Sequence, residues 1–522
     1  MPASNPHTFQ PARWLVLLSF LVGAFRLQSQ GYDLKFQLNG LTDSTVYLAR
    51  YFFDQVPIVD SSVHIKHGAI RFKGSTALES GVYIVANQQR NSFYLQFIID
   101  GNQKFTVTAD VKDMSKTLKS DDAVNNGYYS YIRYLNAKNA ELYSVREKFK
   151  GRKDSAQMVL KEHTRLDNEI KAYEKNYIDK NSSSFVSGML KIKREHYPTA
   201  VPKASNGRPD SVYQYFYYRD HYFDEINFKD DRLLNTPFFA EKIKAYFDGI
   251  VPQQPDSVIK DFDNMMRRCT PGSTLFNTLI GHFTYQFETN KEMIFDQNGK
   301  SQSFEKVFVH LCENYIVNGK TGGYYDAETI VKIKERIAIT KNLLPGSRLP
   351  EFYGIDTANG AKVLKMGFDT ARTSEAATEL YRRHQSTIVQ MLRPLTMTRA
   401  KYVVVVFWAA DCGHCKTAVP LLSKEIRKLQ TSVDVKVVAV QTKEELYNDW
   451  KKFIVENQLD NFYHLFDPIH INNLKEKFDI TATPVIYLLD QDYRILAKKI
   501  EETAVADIIQ RLEEIDKNRK KQ

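Results

Sequence analysis

The chain has 522 residues, too long for one ordinary domain, and length alone argues for roughly three. Its 43% hydrophobic and 26% charged residues are those of packed globular protein, which excludes a disordered or fibrous chain. The net charge of +10 comes from basic residues interleaved with acids, the one compact basic run being Lys517 to Lys521, so no nucleic-acid partner is expected.

At the N-terminus Arg13 precedes the apolar run Trp14–Phe25, and the polar stretch from Arg26 to Gly31 follows. A basic flank with a core too short to span a bilayer comfortably is the layout of a secretory signal peptide over residues 1–30. Arg26 and Leu27 stand where small residues usually precede cleavage, so an uncleaved membrane anchor is the alternative. No later segment reaches transmembrane length. The mature protein is expected to be exported, to the periplasm or an equivalent compartment.

Residues 31–112 predict a small β-sandwich. Leu34, Phe36 and Leu38 alternate with polar residues, as do Val63 and Ile65, and a further strand is expected around Tyr94–Ile99. The turn signals Asn39-Gly40, His67-Gly68 and Asp100-Gly101 divide the stretch into about eight short strands. From 113 to 344 the period changes to that of helices, over Asn139–Lys148, Met158–Tyr177, Pro237–Ile250 and Ala327–Leu343. This α-helical domain holds much of the Tyr and Phe content, read as aromatic packing with a partly aromatic surface. Cys269 and Cys312 stand singly in expected helices; they either pair or are buried free thiols.

Residues 345–517 alternate strand and helix, which predicts a central sheet covered on both faces, with a basic tail at 518–522. Strands are expected at Tyr402–Phe407, Val435–Val440, Val485–Leu489 and Arg494–Ala497. Helices are expected after Cys412, over Lys443–Glu456, around Asn472–Phe478 and from Glu502 to Ile515. The chemistry sits in Phe407-Trp408-Ala409-Ala410-Asp411-Cys412-Gly413-His414-Cys415. A cysteine opening a helix after a buried strand meets unpaired N–H groups and the positive end of the dipole, which favour its thiolate, the nucleophilic form. Cys415, three residues on, can resolve a mixed disulfide. A zinc site would need two more ligands, covalent haem attachment would need His where Lys416 stands, and a structural disulfide would not explain the strand–helix context. Downstream, Thr483-Pro484 directly precedes a strand, the place for a cis peptide whose Thr483 backbone could pair with an extended substrate.

With Phe-Trp-Ala, Cys-Gly-His-Cys, the helical Pro420 and Thr483-Pro484, the C-terminal part resembles the thioredoxin superfamily. Asp467-Pro468 and a helical insertion between 443 and 480 resemble its exported TlpA/ResA branch. A β-rich and then a helical domain of unknown function, with a stretch like Tyr222–Phe228, often precede such domains, so the resemblance extends weakly upstream. It implies a thiol–disulfide oxidoreductase without cofactor or metal, with Cys412 and Cys415 catalytic, Asp411, Gly413 and His414 tuning the thiolate, and Thr483 and Pro484 binding substrate.

The partners implied are a protein or peptide disulfide and, for a reductant, a membrane electron donor. Reduction of protein disulfides is the leading expectation. Gly413-His414 favours the alternative of an oxidase or isomerase, because a stabilised thiolate makes the pair a better oxidant. A third reading is a binding or scaffold protein dominated by its front domains. Two departures stand out: relatives often carry an acid where this chain has Val406, and a Glu where it has Ala418, to handle the proton of the resolving thiol. Asp411 beside Cys412 should raise the thiol's pKa. Residues from Gly367 to about Ala400 form an insertion, for which Leu380, Ile388, Met391 and Leu392 suggest a helix.

Overall fold

The computed structural model describes residues 31–521 apart from 291, 297 and 372. The signal peptide expected at 1–30 lies outside the described residues. Among them, no helix is long and apolar enough to cross a membrane. The chain divides into two compact units, one holding residues up to Pro252 with Asn264–Thr278, the other Gln253–Asp263 with Leu279 onward. The border thus runs through the helical stretch and groups residues 279–344 with the C-terminal domain.

The first unit opens with strands β1 (Asp33–Asn39), β2 (Thr45–Arg50), β3 (Ile58–Val63), β4 (Ala69–Lys73), β5 (Gly81–Ala86), β6 (Phe93–Ile99), β7 (Lys104–Asp110) and β8 (Lys119–Ser120). They form two four-stranded sheets, β4-β1-β7-β8 and β3-β2-β5-β6. Leu34, Phe36 and Leu38 of one sheet and Val46, Leu48 and Phe97 of the other enter a single core, as a sandwich requires. The alternation at Val63 and Ile65 is broken: β3 ends at Val63, which is 56% exposed, while Ile65, past the strand, packs part-buried on the sandwich core. Helices Ala123–Phe149, Ser155–Lys180 and Phe185–Ile192 lay Tyr128, Tyr129, Ile178 and Met189 on the same core. Asn125, fully buried, takes the Ile98 N–H at 2.7 Å and gives its own amide to the Ile98 carbonyl at 2.8 Å, which ties the first helix to β6. The aromatic residues divide as expected, with Tyr222, Phe223 and Tyr246 in ring contact and Tyr213 and Phe216 on an exposed helix.

Cys269 and Cys312 are both buried free thiols. Cys269 lies in the bend past helix Pro255–Met266 rather than within a helix, and Cys312 opens a π-helical turn, Cys312–Val317. Burial pushes both thiols up to about 12.

The second unit carries a hairpin, β9 (Met293–Phe295) with β10 (Ser301–Ser303), and then β11 (Tyr353–Asp356), β12 (Leu392–Pro394), β13 (Tyr402–Trp408), β14 (Val435–Gln441), β15 (Phe462–Phe466), β16 (Val485–Asp490) and β17 (Ile495–Lys498). These last seven make one sheet in the order β12-β11-β15-β14-β13-β16-β17. β13, β14 and β15 are parallel, and β16 returns antiparallel beside β13. Every residue of β13 is buried, because helices cover both of its faces. Val404, Val406 and Trp408 meet helices Cys415–Leu429 and Ala504–Arg519 on one side. Val403, Val405 and Phe407 meet Phe352, Phe478 and Tyr487 on the other, where Ile339 of helix Ala327–Asn342 also packs.

Three sequence expectations change here. The stretch between 443 and 480 is not wholly helical: it contains β15, hydrogen-bonded between β14 and β11. The helix expected from Lys443 is a 3-10 turn, Glu444–Leu446, followed by helix Tyr447–Glu456. The last helix runs on to Arg519, whose guanidinium donates to the Asn298 carbonyl at 2.6 Å, so the basic tail begins inside it. The insertion does hold a helix, Ser374–Met391, and its Ile388, fully buried, joins the core that contains Trp408 and Cys415.

Candidate functional site

The site forms where β13 ends. Trp408 closes the strand, Ala409 and Ala410 stay buried, and Asp411 to His414 turn outward. The helix begins at Cys415, not at Cys412 as the sequence suggested. Cys412 sits in the turn before it, where its N–H donates to the Ala409 carbonyl at 3.1 Å and its carbonyl accepts from the Lys416 N–H at 3.2 Å. The sulfur is thereby held over the first turn, whose N–H groups have no intrahelical acceptor. The Cys415 N–H donates to Cys412 Sγ at 3.3 Å.

The two sulfurs differ in surroundings. Cys412 is half-buried and Cys415 fully buried. Burial alone would raise the Cys412 pKa, but hydrogen bonds from Cys415, the Thr483 side chain and the His414 backbone outweigh it and bring the thiol below its ordinary value. Burial, reinforced by the interaction with Cys412, pushes Cys415 up to about 12. The two thiols are therefore separated electrostatically.

Thr483 and Pro484 come to the same place from the other end of the domain. The Thr483–Pro484 peptide is cis, and the Cys412 thiol donates to the Thr483 carbonyl at 3.2 Å. Both residues are part-exposed. Gly413 and His414 are exposed next to Cys412. A methyl group on Gly413 would meet nothing within 4 Å, so the fold does not demand glycine there.

Asp411 does not face Cys412 as an isolated charge. Lys443, in the loop after β14, donates to its carboxylate at 2.6 Å. The Lys443 ammonium is held above its ordinary value by that hydrogen bond and, less, by Cys412. Sequence reading missed Lys443; the available signal was its place just past the carboxyl end of a parallel strand, where sites in open α/β sheets collect. Val406 and Ala418 occupy apolar, buried positions, so neither supplies an acid to Cys415. Asp467 is structural: it accepts from the Asn472 N–H at 2.9 Å and the Asn472 side chain at 2.8 Å, while Asn472 bonds the Tyr353 backbone and so anchors β11. Among the described residues, no group of three His, Cys, Asp or Glu could hold a metal ion.

Family models match three stretches of the chain. Residues 400–495 match the thioredoxin-like family model. Residues 32–159 and 160–320 match two domains of unknown function, DUF4369 and DUF5106. Among solved structures, a thioredoxin-like protein from Bacteroides caccae is 16% identical over 60% of this chain and 99% of its own, with a TM-score of 0.41. A domain of a possible thiol-disulfide isomerase from Cytophaga hutchinsonii is 26% identical over 34% of this chain and 97% of its own, at 0.26. A thiol:disulfide interchange protein from a Bacteroides species is 23% identical over 33% and 90%, at 0.24. No curated protein matches the chain. The C-terminal part of this chain is thus a thioredoxin-like domain, and it follows two domains of unknown function.

Proposed function

We propose that the protein is an exported thiol–disulfide oxidoreductase that reduces protein disulfides through Cys412 and Cys415. The observation that carries this reading is the contrast between the two sulfurs, one part-exposed, lowered and hydrogen-bonded at a helix start, the other buried and raised. The Cys412 thiolate attacks a substrate sulfur; the substrate S–S bond breaks, and the departing thiolate takes up a proton. The Cys415 thiol then gives up its proton and attacks Cys412 Sγ, which forms the Cys412–Cys415 disulfide and releases the second substrate thiol. Two electrons pass to the substrate. Thr483 offers its backbone to an extended substrate segment beside Cys412, and a membrane donor restores the dithiol.

A second reading, oxidase or isomerase, is favoured by the lowered Cys412 pKa itself, because stabilising the thiolate stabilises the reduced form. The reduction potential separates the two, measured by equilibrating the protein with glutathione and trapping thiols by mass. A value near about −270 mV supports the reductant, and one near about −180 mV or above supports the oxidase or isomerase. No reversible exchange, or exchange that survives Cys412→Ser, would refute both and leave a binding role for the front domains.

A further inference from the structure

The helix Ala327–Asn342 lies before the thioredoxin-like match begins, yet its Arg336 reaches into the segment that leads to Thr483. The Arg336 guanidinium donates to Asp479 Oδ1 at 2.7 Å and to Glu288 Oε1 at 3.1 Å. Lys499, just past β17, holds the other oxygen of Asp479. Asp479 is only 6% exposed. Burial opposes its charge, but Lys499 and Arg336 keep its carboxyl below the usual range.

The backbone around this cluster is unusual. Asp479 and Lys499 both have φ of 53°, a left-handed conformation seldom taken by residues other than glycine. Such conformations persist only where the surroundings over-determine them. Asp479 takes its left-handed turn as the cap of helix Leu474–Phe478, and at Lys499 the N–H donates to the Ile486 carbonyl at 2.7 Å while the ammonium grips Asp479. A second clamp lies one residue away, where Lys498, 4% exposed, pairs with Glu305, 1% exposed. Buried ion pairs contribute little net stability, since desolvation offsets their attraction. What they do supply is a fixed geometry. Each clamp joins a residue upstream of position 345 to this part of the sheet: Arg336 to Asp479, four residues before Thr483, and Glu305 to Lys498 on β17, the neighbour of β16.

We infer that Arg336 is a positioning residue of the exchange site: through Asp479 it fixes the 479–484 segment so that the Thr483 backbone stands ready beside Cys412 for an extended peptide substrate. This inference rests on the oxidoreductase reading. It makes residues 279–344 part of the oxidoreductase module rather than a separate attachment.

The test compares two substrates in single-turnover oxidation of the pre-reduced full chain: a disulfide-cyclised peptide, which engages the Thr483 backbone, and hydroxyethyl disulfide, which is too small to do so. Arg336→Met should slow the peptide about three- to tenfold more than the small disulfide, the worth of roughly one backbone hydrogen bond, and Arg336→Lys should restore part of the difference. A merely structural role would slow both substrates alike, or neither, and would overturn the inference. Should Arg336→Met fail to fold, Glu288→Gln, at a site 40% exposed, is expected to give a smaller bias of the same sign; an unbiased result with that variant also overturns it. A wild-type protein inert to both disulfides would refute the oxidoreductase reading, and the inference with it.

Discussion

Of the four cysteines, only Cys412 should react with iodoacetamide at neutral pH. The size of the preference follows from the structure. Cys415, Cys269 and Cys312 are each pushed up to about 12, chiefly by burial, while Cys412 is brought below 9.0. At pH 7 the thiolate fractions are then about one in 10⁵ for the three and at least about one in 10² for Cys412, a ratio of about a thousand. A thiolate of higher pKa is the stronger nucleophile, with a Brønsted slope of about 0.4–0.5, which returns roughly twentyfold over three units. The remaining preference is about fiftyfold or more from ionisation alone, and burial of the other three sulfurs adds to it. The assay is intact-mass labelling of the reduced native protein, with peptide mapping of the labelled site. One label on Cys412, with a rate that titrates below pH 9.0, is the expected result. A second label arriving at a comparable rate on Cys415, Cys269 or Cys312 would refute the electrostatic argument.

Further consequences follow from other parts of the domain. Burial pushes His464 down to about 4, so between pH 6.5 and 4 the unfolded chain takes up a proton that the folded one refuses. Stability should fall by about 3 kcal/mol over that window, and His464→Phe should abolish this limb in urea denaturation at several pH values; an unchanged limb would show that His464 is not its source. Lys498→Met leaves the Glu305 carboxylate buried and should cost about 3–5 kcal/mol, whereas the double variant Glu305→Leu/Lys498→Met should cost less than either single change; strict additivity in thermal or denaturant unfolding would contradict the pairing. Asp411→Asn should lower the pH midpoint of Cys412 alkylation and Lys443→Met should raise it, each by about a few tenths of a unit because the pair is exposed. Shifts of the same sign would show that the pair does not act on Cys412 through charge.

The parts of this molecule that could be read from sequence are those in which one short segment records its own surroundings. β13 is a run of β-branched and aromatic residues because both of its faces are covered, and the alternation in β1 records one covered face and one wet one. β15 could not be read in this way. Phe462–Phe466 interleaves tyrosine and histidine with its apolar residues and follows a helix at close range; it is a strand because β14 and β11 offer hydrogen bonds on either side. β11 is only Tyr353–Asp356, too short to show a period.

The same distinction runs through the site. The spacing of Cys412 and Cys415 is local and was visible. The displacement of the helix start to Cys415 was not, because it depends on how the turn closes on Ala409 rather than on residue type. Lys443 meets Asp411 across 32 residues of chain, and Arg336 meets Asp479 across 143. A surface lysine and a helical arginine look ordinary in their own neighbourhoods, since nothing in a local pattern says which acid each will find. Lys443 beside Asp411 and Arg336 on Asp479 are both such distant pairs, so the motif can be read from its own segment while its surroundings depend on the assembled fold.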